Sequence, residues 1–146
     1  MTDVFISYSR KDIAFARLLH EALGEHGFET WIDWQDILPS ADWLAEVYTA
    51  IEGSDTFIFI LSEHSAISEI CQLEIDHATN HGKWVIPIVI SEVDPRRVPP
   101  QLEALRWLFF QQQDPLLGPV DDLIEALQHD RAWINQHTRY LTLALD

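Results

Sequence analysis

In the stretch SEHSAISEICQLEIDHATNHG, residues 62–82 of a 146-residue chain, one carboxylate sits where a core residue belongs. Laid on a helix at about 100° per residue, Ile67, Ile70, Cys71 and Ala78 share a face, and Glu74 falls in its middle. Glu69, Gln72 and Asp76 point the other way, as solvated helix residues do. A carboxylate walled by apolar side chains is partly desolvated, which favours its protonated form and marks a candidate functional acid or base. The plainer reading is a Glu at the helix edge bonded to a neighbouring backbone amide. Helical periodicity alone leaves both open.

Other residues have types and spacings that could carry chemistry. His77 and His81 stand at i and i+4 and, with Cys71, could read as a metal cluster. Solvated helix histidines are the commoner case, and no metal is expected. Cys71 on an apolar face reads as a small core residue before it reads as a nucleophile. Arg10 and Lys11 open a helix, where charge and helix dipole together could meet a phosphate, or simply form a solvated first turn. Trp34 and Trp43 flank a loop around Pro39, able to stack on a planar ligand or to staple the loop. Glycines occur at 24, 27, 53, 82 and 118, mostly at helix ends. That leaves no G-x-G-x-x-G and no P-loop, and there is no G-x-S-x-G elbow. Hydride-transfer, kinase and common serine-hydrolase readings lose their signatures. A phosphorylation receiver would want acidic residues where Ser7, Ser9 and Ser62 stand.

Composition narrows the class further. The length suits one compact domain, and 47% hydrophobic residues with six Trp supply its core. Nine basic against 24 acidic residues give a formal net charge of −15, which argues against a nucleic-acid or anionic-membrane surface. A lone cysteine excludes an internal disulfide and suggests a reducing, cytoplasmic setting. The start MTDVFISYSRKD has no signal-peptide pattern, and the longest apolar run, WVIPIVI, is far short of a membrane span.

The elements that must hold Glu74 alternate between strand and helix. DVFISYS reads as a first strand, and KDIAFARLLHEALGEHG as a helix with Gly27 at its C′ position. FETWID is a second strand, and Leu44, Val47, Tyr48 and Ile51 mark a second helix closed by Gly53. TFIFILS and WVIPIVIS are continuously apolar, as strands covered on both faces are. EVDPRRVPPQLEAL is irregular, RWLFF (106–110) is a fifth strand, and Val120–Gln128 a further helix. This alternation predicts an α/β fold with a parallel sheet and helices on both faces. An amphipathic helix over 129–146 follows the completed sheet and is expected to lead into a downstream region. In such sheets ligands sit beyond the carboxyl ends of the strands where strand order reverses. Glu74, on the helix leaving the third strand, can reach that cleft.

Several of these segments together resemble a TIR domain (Toll/interleukin-1 receptor domain). DVFISYSRKD is similar to the family's first box, GFETWIDWQDILPSADW to its second strand and BB loop, and ILSEHSAISEICQLEI to the S-x-x-W-C-x-x-E segment of its third helix. KWVIPIVI and LRWLFF are similar to its last two strands. The resemblance covers about residues 1–128, and is greatest to bacterial TIR domains at the N-terminus of multidomain proteins. It implies a flavodoxin-like five-stranded parallel sheet and one of two functions. Many bacterial and plant members cleave NAD+ at the nicotinamide–ribose bond, yielding nicotinamide and ADP-ribose or a cyclic isomer, as signalling or immune effectors. Others act only by self-association. The cleaving members' catalytic Glu matches Glu74, and Cys71 is kept, whereas Ile70 stands where the family often has Trp. The resemblance carries over Tyr8, Ser9 and Arg10 as wall and phosphate contact, and Asp33 and Trp34 as a gate at the BB loop. NAD+ enters as substrate with no cofactor, and other TIR protomers are the implied partners.

Overall fold

The computed structural model describes residues 3–32, 41–110 and 120–128. In chain order the elements are β1 (Val4–Ser7), α1 (Ile13–Glu25), β2 (Thr30–Trp31), α2 (Ala41–Glu52), β3 (Thr56–Leu61), α3 (Glu69–Asn80), β4 (Trp84–Val89) and β5 (Leu108–Phe109). A further helix, α4, runs over residues 120–128. The five strands are all parallel in the order β2-β1-β3-β4-β5. This is the flavodoxin-like arrangement, with its switch point beside β1 and β3.

Strand alternation sorts the core into two layers. Val4, Ile6, Ile58, Ile60, Ile86 and Ile88 face Phe15, Leu19 and Leu23 of α1 and Leu123 and Leu127 of α4. The intervening residues Phe5, Phe57, Phe59, Leu61, Val85 and Val89 face Val47 and Ile51 of α2 and Cys71, Ile75 and Ala78 of α3. Every residue of β3 is buried, which explains its unbroken apolar sequence. Each such large side chain removed from water contributes about 1.5–3 kcal/mol before chain entropy is offset. At the end of α1, Gly27 takes φ +82°, the left-handed conformation that suits glycine.

Three elements differ from their sequence outlines. The helix around Glu74 does not run unbroken from Ser62. A 3-10 turn spans Ser65–Ile67, and Ser68, extended at φ −82° and ψ 121°, caps α3 by accepting from the Cys71 amide at 3.2 Å. The restart takes Ile67 off the apolar face, and it lies 61% exposed. It is not a wall of Glu74.

The fifth strand shrinks from five residues to two, and Pro87 supplies the reason. The Val89 carbonyl accepts from Phe110, on the β5 side, whereas the Ile90 amide donates to Leu61, on the β3 side. Pro87 shares the parity of Val89, so its nitrogen faces β5 without a proton to give. Pairing starts only at Ile88↔Leu108. β2 is likewise short at its front, where the Glu29 amide donates to the Asp3 carboxylate at 2.8 Å. Residues 34–40 of the expected BB loop and the helix expected over 129–146 lie outside the described residues, while Ala41–Trp43 of that loop open α2.

Candidate active site

Glu74 is 6% exposed and belongs to the α3 face that packs on the sheet. A buried carboxylate is costly without hydrogen bonds. Ser7, the last residue of β1 and itself buried, donates its hydroxyl to Glu74 Oε1 at 2.8 Å. Strand alternation puts Ser7 on the same side as Phe5, under α3, so this bond joins the sheet to the helix directly beneath the switch point.

Around this pair opens a cavity of about 310 Å³ whose walls include Tyr8, Ser9, Arg10, Trp31, Trp43 and Glu74. Lys11, Ser68 and Ile70 also border it. The floor comes from β1, the rim from the turn that follows it, and the aromatic wall from β2 and α2. Ser9 begins that turn, its hydroxyl accepting from the Lys11 amide at 3.4 Å. Asp12 then accepts from Ser62 Oγ at 2.5 Å, tying the turn to the end of β3. Arg10 and Lys11 are thereby held as exposed cations at the rim. Trp31 is braced by stacking on Phe5, with ring centroids 4.9 Å apart and planes 10° from parallel.

Of the residues expected at the site, folding brings Tyr8, Ser9, Arg10 and Glu74 to one cavity. Cys71 is not brought to its wall: it lies 1% exposed in the α3 core. Burial, followed by the Glu74 charge, pushes its thiol up to about 12, against smaller opposing effects of the Ser68 and Ser7 hydroxyls. At neutral pH it is a protonated thiol that fills space beside Ser7. Asp33 and Trp34 lie outside the described residues. Sequence reasoning missed Trp31 and the role of Ser7, although the period of two puts Ser7 on the same face as Phe5, which pairs with Trp31.

A family model for the TIR domain matches residues 4–128, and the chain belongs to the TIR-domain family. Toll-like receptor 2 of Bos taurus is 27% identical over 141 residues, covering 91% of this chain and 17% of the receptor. TMV resistance protein N of Nicotiana glutinosa is 30% identical over 140 residues, covering 92% of this chain and 12% of that protein. The chain thus spans less than a fifth of the length of either relative. Among solved structures, the TIR domain of the Toll-related receptor TRR-2 from Hydra magnipapillata superposes with a TM-score of 0.70 at 24% identity, covering 88% of this chain and 99% of that one. That likeness bears on the fold.

Proposed function

We propose that this TIR domain is an NAD+ glycohydrolase, cleaving the nicotinamide–ribose bond with Glu74 as its catalytic residue. The observation that carries the reading is a buried carboxylate, anchored by Ser7, in the wall of a cavity at the carboxyl end of β1. Nicotinamide leaves a cationic N-glycoside as a neutral molecule, so departure needs no general acid. A single carboxylate beside the ribose can hold its hydroxyls and stabilise the oxocarbenium-like transition state. The cavity sits at the small end of the roughly 300–1,000 Å³ usual for ligand pockets. It accommodates the reacting nicotinamide riboside half, with Trp31 and Trp43 offering aromatic faces. Arg10 and Lys11 at the rim supply the local positive charge that a pyrophosphate needs on a chain of net charge −15.

The likeness to Toll-like receptor 2 favours a second reading, a signalling module that acts only by protein–protein contact. Such a module has no need of a carboxylate in this cavity. Incubating concentrated wild-type protein with NAD+ and assaying free nicotinamide separates the two. Release above the uncatalysed rate supports the hydrolase. Its absence at every protein concentration leaves the interaction module standing.

A further inference from the structure

At the end of α3 opposite the cavity, three side chains converge that the proposed reaction does not use. Glu52 closes α2, His77 lies in the last turn of α3, and His81 caps that helix. One ligand atom from each lies within 4.8 Å of the others. We propose that Glu52, His77 and His81 bind a divalent transition-metal ion, Zn2+ foremost, which clamps α2 to α3.

Each imidazole stands near one oxygen of the carboxylate, at a separation close to that of two donors sharing an ion. His77 Nε2 stands 3.5 Å from Glu52 Oε2, and His81 Nε2 stands 3.3 Å from Glu52 Oε1. Bonds of about 2.0–2.1 Å to a tetrahedral Zn2+ set donor atoms roughly 3.3 Å apart. The donor chemistry suits it too. His81 Nδ1 lies 2.9 Å from the His77 carbonyl, which can only accept, so Nδ1 carries the proton and Nε2 presents its lone pair. His77 Nε2 is buried yet makes no hydrogen bond among the described residues. A buried polar atom left in that state is costly, and a metal bond would satisfy it.

The surroundings fix the ligands without consuming them. Tyr48 of α2 stacks on His77 with centroids 4.0 Å apart and planes within 10°. Lys83 Nζ donates to the Glu52 backbone carbonyl at 2.7 Å, leaving the carboxylate facing the imidazoles. The sequence spacing offered Cys71 as the third ligand. Folding puts Cys71 in the core and Glu52, distant in sequence, in that position. Two imidazoles and one carboxylate favour zinc and its neighbours over Mg2+ or Ca2+, which want oxygen ligands.

The test is titration of chelator-treated wild-type protein with ZnCl2, read by calorimetry and by thermal melts, with MgCl2 as the control ion. The proposal expects one Zn2+ per chain, a Tm rise of a few degrees (about 4 °C or more) at saturation, and no response to Mg2+. In H81A and in E52Q, affinity should fall at least about tenfold. Both residues are substantially exposed, so the metal-free variants should melt close to metal-free wild type. Absence of saturable Zn2+ binding by wild type would overturn the proposal and leave a plain His–Glu pair. Zn2+ binding at wild-type affinity by the double variant H77Q/H81A would overturn it as well, by placing the ion elsewhere.

Discussion

Ser7 ties the Glu74 carboxylate to the end of β1. Its hydroxyl donates to the carboxylate, and both groups are buried. A hydrogen bond to a charged group contributes about 1.5–3 kcal/mol. Ser7→Ala should therefore lower Tm by several degrees and slow nicotinamide release by about tenfold, because Glu74 loses its tie to β1. Release unchanged beside a lowered Tm would reduce Ser7 to scaffold. Cys71 makes a separate prediction about pH. Its thiol is raised from the ordinary 9.0 to about 12, so the folded chain keeps a proton that the unfolded chain surrenders. The associated stability is fully present below pH 9 and is lost as pH rises towards 12, at up to about 1.4 kcal/mol per pH unit. Urea unfolding at pH 8 and pH 10 should show wild type losing more stability than Cys71→Ala across that interval, and equal losses would contradict this. Glu74 was legible in the sequence as a carboxylate on an apolar stripe. Ser7 was not singled out, because a hydroxyl at a strand end has many uses until the helix above it is placed.

The turn between β1 and α1 positions the rim cations, and its design is local. Ser9 caps it, and Asp12 fastens it to Ser62 at the end of β3. Replacing Arg10 and Lys11 together by Ala should raise KM for NAD+ severalfold, with the larger effect at low salt and little change in Tm. A KM insensitive to both the substitution and salt would remove these residues from the phosphate contact. Helices and long strands were readable at this scale because their periodicity is repeated many times. β3 shows it as a continuous apolar run, α1 as Phe15, Leu18, Leu19 and Ala22 at helical spacing, of which Phe15 and Leu19 are buried and Leu18 is exposed. The misjudged boundaries each depend on one residue: Ser68 through a local cap on the Cys71 amide, Pro87 through the neighbouring strand. Ser68 restarts α3 and sheds Ile67, while Pro87 cuts β5 short by denying it a donor. The second effect is not visible until the pairing register is known.

For the whole molecule, charge and assembly oppose each other. A net charge of −15 keeps isolated protomers apart at low salt. The segment expected to join protomers, WQDILPSADW, is apolar in sequence, with Trp34, Ile37 and Leu38 close together. On the hydrolase reading, activity should therefore depend on self-association. Turnover per molecule should rise with protein concentration, with added salt or with crowding across a dilution series of about two decades, enough to cross a weak association constant. Substantial turnover that stays constant on dilution would mean that one protomer holds a complete site.

The most direct test of the account is nicotinamide release by wild type and Glu74→Gln at matched, high concentration, with melts recorded on the same samples. Gln keeps the shape and a hydrogen-bonding oxygen for Ser7 while removing the charge that would face the oxocarbenium ion. The account predicts a fall in rate on the order of 100-fold or more, with the fold retained. A variant that turns over NAD+ at the wild-type rate would contradict it.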